Sequence, residues 1–183
     1  MNRRLAVARM AVVAGGFVAL GCGGEDLPDT VGLELLAEGA DQVMVSVQHF
    51  MTREGIRRAT VRADTAYVMD DESTIELRHV RLVFFDGEGG EESVLTADGG
   101  SYHIQSGDMN AEGNVVVVQS DGTQRLETEQ LSYDAAADEL RSETPFVFTQ
   151  PDRVIRGSSF VSDPSLENHK IDSFSAVTDV DDQ

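Results

Sequence analysis

The histidines and acidic residues of this chain do not fall into the spacings that carry catalysis or metal binding. The four histidines, His49, His79, His103 and His169, are far apart, and none belongs to an H-x-H or H-E-x-x-H pair. The acidic stretch 70–72 lacks the D-x-D-x-D-G spacing of a calcium loop. Neither G-x-S-x-G nor G-x-x-x-x-G-K-[ST] occurs in the sequence. We therefore predict no catalytic residue, no metal site and no cofactor.

The single cysteine lies where a covalent modification is expected. Residues 1–21 contain three arginines, no acid and an apolar run of 12 residues at 10–21, shorter than a bilayer-spanning helix. This layout is typical of a secretory signal peptide. The following segment 18–22, Val-Ala-Leu-Gly-Cys, looks like a bacterial lipobox in which Ala19 replaces the usual leucine. We predict that Cys22 is lipidated after cleavage; an ordinary signal peptide and an uncleaved anchor are the alternatives.

Net charge excludes one class of partner. The chain has 33 acidic and 14 basic residues and a formal charge of −19. Removal of residues 1–21 leaves 11 − 33 = −22. Nucleic-acid binding requires a basic surface that displaces phosphate counterions, so it is not expected. After the signal peptide we predict a lipidated, flexible tether at 22–41, a folded body at 42–175 and an acidic tail at 176–183.

The body has the pattern of an all-β domain. Apolar and polar residues alternate with a period of two, as in Val43, Val45 and Val47, which are predicted to share one face of a strand. Glycine- and aspartate-rich turns separate such strands about every dozen residues. The alanines at 135–137 are flanked by aspartates, which favours a hairpin loop over a helix.

A unit of about 30 residues repeats along the body. Each copy has a strand, a tight turn and a second strand. The steps between the small residues that mark successive copies are 34, 31 and 29, and all three tyrosines of the chain fall at the same place in the unit. The copies begin at residues 62–67, 96–102, 127–133 and 156–160, and the small residues are Ala63, Ala97, Thr128 and Gly157.

The second strand of each unit changes its parity halfway. Leu77 would face one side, whereas Val80 and the apolar residues after it are offset by one position. In the next copy the same slip falls at Gly113 and Asn114, residue types that suit the left-handed position of a β-bulge. A repeated bulge bends the strands and predicts a folded-over sheet.

A folded-over sheet has an inner face that is either an ordinary packed core or an open apolar groove. The residues alone leave these two alternatives open. Small side chains leave space on this face, and large apolar ones supply its wall. The candidates for the groove are Val61, Ala63, Leu82, Phe84, Leu95, Ala97, Tyr102, Val115, Val117, Leu126, Tyr133, Phe146, Phe148 and Phe160.

The order of the repeat motifs resembles the lipopolysaccharide-export periplasmic protein family LptC. The matching elements are Leu-Thr-Ala-Asp at 95–98, Glu-Gly-Asn-Val at 112–115, Leu-Glu-Thr-Glu-Gln-Leu-Ser-Tyr at 126–133 and Arg-Gly at 156–157. The resemblance covers residues 42–175. The bridge protein LptA and the periplasmic domain of LptD share the same OstA-like repeat, but a single domain of this size favours LptC. The usual family anchor is a transmembrane helix, which a lipobox replaces here.

The resemblance implies a curved antiparallel β-jellyroll, open along one side, whose interior holds the acyl chains of lipopolysaccharide. It implies a position on the periplasmic face of the inner membrane, where the lipobox predicts a lipid anchor in place of the family's transmembrane helix. The lipid would come from the permeases and ATPase of an ABC transporter and pass to an LptA-like bridge protein. Because the mature chain is acidic, we expect the lipid phosphates to stay in solvent. The alternative is a non-enzymatic adaptor lipoprotein with a closed β-sandwich that binds only proteins.

Strand addition at exposed sheet edges is how this family joins its neighbours, so the resemblance also implies partner-binding edge strands. The first and last strands of the body are the expected edges. The candidates are Val43, Val45, Val47, Val154, Ile155 and Phe160.

Overall fold

The computed structural model describes residues 40–69, 73–171 and 174–179, and all elements in these ranges are β-strands. The twelve strands are β1 (Ala40–Arg53), β2 (Ile56–Met69), β3 (Thr74–Phe85), β4 (Glu91–His103), β5 (Met109–Gln119), β6 (Arg125–Asp134), β7 (Glu139–Ser142), β8 (Phe146–Thr149), β9 (Arg153–Gly157), β10 (Phe160–Ser162), β11 (His169–Ile171) and β12 (Phe174–Asp179). The predicted all-β class is confirmed. Within the described ranges no helix is long and apolar enough to cross a membrane.

The predicted segments at the two ends of the chain can be compared with these boundaries. The signal peptide, Cys22 and the tether up to residue 39 lie outside the described residues. Strand β1 begins at Ala40, two residues before the predicted start of the body. Strand β12 continues to Asp179, into the range assigned to the acidic tail.

The strands form one antiparallel sheet that divides in two at β6. Strands β1 to β6 pair in chain order as successive hairpins. The first half of β6, Arg125–Thr128, pairs with β8, whereas its second half, Ser132–Asp134, pairs with β7. The Thr128 hydroxyl lies 2.9 Å from the Ser142 hydroxyl and 2.8 Å from that of Thr144, at the point where the two branches separate. One branch continues as β7–β10–β11 and the other as β8–β9–β12.

A line of left-handed residues crosses the sheet before this division. Ser46, His79 and Asn114 have φ angles of 54°, 50° and 47°, and Gly113 has 73°. The ladder between β5 and β6 shifts its register at the same place, between Glu112 and Val115. A single left-handed residue reverses the parity of a strand, so the apolar side chains before and after it face the same interior. The bulge predicted at Gly113 and Asn114 is therefore confirmed, whereas at His79 the parity reverses without a shift in register. We call this line the crease.

Polar side chains connect neighbouring strands along the outside of the crease. His79 Nδ1 lies 3.3 Å from Asp64 Oδ2, and both side chains are largely exposed. One repeat later, Asn114 Nδ2 donates a 2.6 Å hydrogen bond to Asp98 Oδ2. The same position of the repeat is thus occupied by an acid that contacts the left-handed residue of the next strand.

The crease folds the sheet into two layers whose inner faces form one core. Phe84 of one layer contacts Tyr133 of the other with ring centroids 5.0 Å apart, and Phe148 contacts Phe160 at 5.1 Å. Deeply buried apolar side chains of both layers belong to a single cluster. The first layer comprises residues 47–63, 80–97 and 115–128 with β8, β9 and β12; the second comprises residues 40–45, 66–69, 73–78, 99–112 and 130–142 with β10 and β11.

The three valines of β1 do not share one face, contrary to the sequence prediction. Val43 pairs with Tyr67 and Val45 with Thr65, and Val45 is 65% exposed. Only Val47 packs against the core. The left-handed residue at position 46 reverses the parity between Val45 and Val47, so the simple alternation is wrong for this strand.

The side chains of the three tyrosines in the repeat do not all belong to the core. Tyr102 and Tyr133 belong to the core, whereas Tyr67 is buried outside that cluster. Tyr67 follows the small residue of its repeat by 67 − 63 = 4 positions, but the other two follow by 102 − 97 = 5 and 133 − 128 = 5. A difference of one residue places a side chain on the opposite face of a strand.

Candidate functional site

The free ends of the two layers face each other and leave a groove between them. This groove, which we call the mouth, has a volume of about 540 Å³. The first layer supplies the end of β1 and the start of β2, and the second supplies the β4–β5 and β6–β7 turns. The lining residues are His49, Phe50, Met51, Thr52, Arg53, Arg58, Tyr102, Ile104, Gln105, Ser106, Gly107, Tyr133, Ala135, Ala136 and Asp138.

One side of the mouth is bridged by an arginine. Arg53, in the β1–β2 hairpin, donates from Nη1 to the carbonyl oxygens of Ala135 at 3.3 Å and Ala136 at 3.2 Å. These alanines lie in the turn between β6 and β7, which confirms the predicted hairpin loop. The Asp134 carboxylate holds the turn by accepting from the N–H groups of Ala136 and Ala137. The bridge therefore joins the tips of two hairpins that belong to different layers.

Two tyrosines mark the inner boundary of the mouth. Tyr102 OH lies 3.2 Å from His49 Nε2, which is a second contact between the layers. Tyr133 OH donates a 2.9 Å hydrogen bond to Asp138 Oδ1. Burial, and next the nearby Asp138 charge, raise the pKa of Tyr133 well above its usual value. The Tyr133 hydroxyl therefore holds its proton firmly and donates it in the hydrogen bond to Asp138.

The rim of the mouth exposes apolar side chains. Phe50 is 51% exposed and Ile104 is 47% exposed, and they belong to opposite layers. Ile56, in the same hairpin as Phe50, is 43% exposed. An apolar rim around a groove with a few polar groups is a common form of binding site for amphiphilic ligands.

The interior behind the mouth changes in character along the sheet. The small residues Ala59, Ala66 and Ala111 belong to the buried core, and so do Phe84 and Tyr133, whose rings lie 5.0 Å apart just behind the mouth. At the far end the rings of Phe146 and Phe148 lie 5.3 Å and 5.1 Å from that of Phe160. We call these three rings, together with His169, which lies 4.8 Å from Phe148, the aromatic floor. The groove is thus open at the mouth, whereas aromatic side chains fill the space between the layers at the floor.

The fourteen groove candidates all lie in the core between the layers. Their exposed fractions range from 0% for residues such as Leu82 to 9% for Tyr102. Tyr102 and Tyr133 also line the mouth, and Phe84 contacts Tyr133 just behind it. Their contact with a lipid stays a prediction.

Some of the predicted edge residues lie on an outer strand of the sheet, and others lie on inner strands. Strand β1, with Val43, Val45 and Val47, pairs only with β2 among the described strands and is an outer strand of the sheet. Val154 and Ile155 lie on β9, which is covered by β8 on one side and β12 on the other. The expectation that these two residues form an edge is therefore wrong.

Phe160 is likewise not an edge residue. It lies on β10, where it pairs with Ser142 of β7 and Ile171 of β11. The chain continues after residue 161 into two further strands, and these cover the segment that the sequence pattern suggested as the edge. The outer strands at this end of the described structure are β11 and β12.

Sequence reasoning did not place any arginine at the opening between the layers, whereas Arg53 and Arg58 line it. In the sequence Arg57, Arg58 and Arg62 form a small basic cluster, for which a salt-bridged outer surface is the first interpretation and contact with a phosphate or the membrane surface is the alternative. None of the three forms an ion pair with a described residue. Arg57 lies over the Phe85 ring at 4.0 Å, and Arg62 donates to Gln48 at 3.1 Å. Arg58 lines the mouth. The signal was the concentration of arginines next to exposed apolar residues in one hairpin.

Comparison with known families connects this architecture to lipid export. The family described as "Lipopolysaccharide-assembly, LptC-related" matches residues 34–169, which is most of the chain and nearly all of the sheet. Comparison with curated proteins gives no match. Proteins of this family take part in lipopolysaccharide transport and are associated with the periplasm and the inner membrane. The two-layered jellyroll, its repeated bulges and the family match agree, and the chain belongs to the LptC family of lipopolysaccharide-assembly proteins.

Proposed function

We propose that this protein accepts the acyl chains of lipopolysaccharide between the two layers of its jellyroll and passes them to the next jellyroll. The observation that supports this most is the mouth, an opening of about 540 Å³ with an apolar rim that adjoins the apolar core between the layers. An acyl chain that enters there passes the Arg53 bridge and the Tyr102–His49 contact before it reaches the apolar inner face.

The energetics of transfer agree with this role. Burial of a methylene is worth about 0.8 kcal/mol, so a chain of a dozen methylenes needs about 10 kcal/mol of equivalent apolar contact after it leaves a bilayer. The layers are held together near the mouth by the Arg53 bridge and the Tyr102–His49 contact. Each such bond contributes about 1 kcal/mol, so an acyl chain can separate these contacts at modest cost.

Exposed strands provide the contacts to neighbouring proteins. The outer strand β1, with Val43 and Val45, offers unpaired backbone groups for strand addition, and β11 and β12 do so at the other end. Because successive proteins have similar grooves, the free energy of the bound lipid changes little at each transfer from one protein to the next. Direction then comes from ATP hydrolysis by an ABC transporter, whose permeases deliver the lipid, and an LptA-like bridge protein receives it.

A lipid on Cys22 would hold the domain at the periplasmic face of the inner membrane. Ala40 pairs with Met69 at the free end of the second layer, so the chain joins the sheet on the same side as the mouth. A C22S substitution is expected to move the protein from the membrane fraction to the soluble fraction. If this variant stays membrane-bound, the lipid anchor is refuted.

Photo-crosslinking tests the lipid conduit. Benzoylphenylalanine adds a benzoyl group to the phenylalanine ring, so the variants at Phe84 behind the mouth and Phe148 at the aromatic floor are first shown to be folded by thermal unfolding. We expect lipopolysaccharide adducts at position 84 and fewer at 148, because the floor is filled. Position 96 is the control, since Thr96 is exposed on the outer side of β4. Equal adducts at 84 and 96 would contradict the proposal.

The alternative function is that of an adaptor that binds only proteins. One observation favours it: the groove candidates pack against one another in a continuous core. In that case a folded protein with the crosslinker at position 84 yields protein adducts, or none, and no lipid adduct. The two functions are therefore separated by the mass of the product at this one position.

A further inference from the structure

The β1–β2 hairpin concentrates positive charge in an acidic protein. Three of the 14 basic residues, Arg53, Arg57 and Arg58, occur within six positions of a chain whose formal charge is −19. Two of them, Arg53 and Arg58, line the mouth. The third is held over the Phe85 ring. The mouth is thus the place where an acidic molecule presents guanidinium groups to a ligand.

Arg58 is the arginine of this group with a free guanidinium. It is half-buried, and within the described parts of the chain it forms neither a hydrogen bond nor an ion pair. Its charge acts on Tyr133 and on Glu92, so it lies close to the inner end of the mouth. Arg53 lines the mouth and uses only Nη1 in the bridge to the opposite turn, which leaves its other donors without a hydrogen-bond partner among the described residues.

The acidic residues near Arg58 form no hydrogen bond or ion pair with its guanidinium among the described residues. Asp138 accepts from the Tyr133 phenol, and Glu92 is influenced by the arginine through charge without a bond to it. Guanidinium has a planar set of donors that matches a phosphate, and partial burial reduces the screening of the pair by solvent. A phosphate at the mouth would be within reach of both arginines while acyl chains enter the apolar interior.

We infer that Arg58, assisted by Arg53, binds a phosphate on the head group of the amphiphile whose chains enter the mouth. This inference rests on the proposed lipid conduit, and it assigns to the mouth the recognition of a phosphorylated lipid. It modifies the expectation from net charge that phosphates stay free in solvent. The acidic surface repels anions at long range, but repulsion over more than about 8–10 Å is screened at physiological salt, whereas contact with Arg58 is not.

The test measures binding of two probes to the full chain and to two arginine variants. The probes are hexa-acylated lipid A with both phosphates and the same lipid after removal of the phosphates. The variants are R58Q in the mouth and R62Q, which lies on the same strand but outside the mouth, where it donates to Gln48. Thermal unfolding of each variant confirms that it is folded.

We expect R58Q to weaken binding of the phosphorylated probe about tenfold, which is the usual size for a charge-assisted hydrogen bond. R62Q should change it less than twofold. Binding of the dephosphorylated probe should be equal in the wild type and R58Q. If R58Q and R62Q weaken binding of the phosphorylated probe equally, a general charge effect is responsible and the inference is overturned.

Two further results separate this inference from the proposed function. If the wild type binds both probes with equal affinity, the phosphate site is refuted but the conduit stands. If the wild type binds neither probe, the conduit itself is refuted. Inorganic phosphate is the third arm, because displacement of the lipid by millimolar phosphate alone would overturn the assignment of the site to a lipid head group.

Discussion

Replacement of Phe160 by alanine tests whether the aromatic floor joins the two layers. Phe160 is fully buried, and its ring contacts Phe146 and Phe148 of the opposite layer at 5.3 Å and 5.1 Å. A buried phenylalanine removes at least about 150 Å² from water, which at about 25 cal/mol per Å² corresponds to about 4 kcal/mol. Part of this area stays buried with alanine, but the cavity that forms adds a penalty of similar size. We therefore expect F160A to lower the free energy of unfolding by about 3–5 kcal/mol.

Thermal unfolding followed by circular dichroism measures this loss. For a domain of this length, about 3–5 kcal/mol corresponds to a decrease in Tm of about 10–15 °C. The control is V161A, because Val161 is the next residue of the same strand and is only partly buried on the other side. We expect V161A to lose about 1 kcal/mol or less.

The outcome that would refute this reasoning is a loss below about 1 kcal/mol for F160A, equal to that of V161A. Phe160 would then not lie between the layers, and the folded-over sheet would be wrong at this end. If F160A does not fold at all, F160L keeps most of the apolar volume and is expected to lose about 1–2 kcal/mol. In that case the test is whether the loss in free energy of unfolding increases from V161A to F160L, with F160A failing to fold.

Two further predictions concern the packing of the second layer and the charge at the free ends. A Cβ at Gly100 would clash with the backbone carbonyl oxygen of Asn110, so we expect G100A to lower the free energy of unfolding, measured by chemical denaturation, by more than about 2 kcal/mol. The control is G87A, which should leave the free energy of unfolding unchanged because nothing lies within 4 Å of a Cβ at that position. Equal effects of the two substitutions would contradict the close approach of β4 and β5. Burial, and next the charge of Asp138, raise the pKa of Glu92 above its ordinary value of 4.5, so the folded state binds this proton more tightly than the unfolded chain does. Above its folded pKa the carboxylate therefore opposes folding, and we expect E92Q to have a higher Tm than the wild type at pH 7 and an equal Tm once the pH falls below about 4. A difference that persists at low pH would show that charge is not its cause.

Several features of the fold were predictable because they are encoded in short stretches of chain. The bulge at Gly113 and Asn114 follows from residue types that tolerate a left-handed backbone, and the offset between Leu77 and Val80 marks the same event one hairpin earlier. The alternation of apolar residues identified the inner face in most strands. The alternation gave a wrong prediction in β1, because Ser46 adopts a left-handed conformation that is uncommon for serine.

The mouth and the edges were not predictable in the same way, because they depend on contacts between distant residues. The Arg53 bridge joins positions separated by 82 and 83 residues. Val154 and Ile155 have the pattern of an outer strand, but β12 returns and covers them. No local pattern specifies which later strand completes a sheet.

The sequence by itself determined that this chain is a repeated all-β protein with bulged strands and LptC-like motifs. These properties follow from the residue-by-residue preferences of the backbone and from the period of the apolar side chains. Only the tertiary structure decided where the two layers separate and that Arg58 lines the opening. The folded-over sheet brings together hairpin tips that are remote in the chain, and the chemistry of the mouth exists only after that fold has formed.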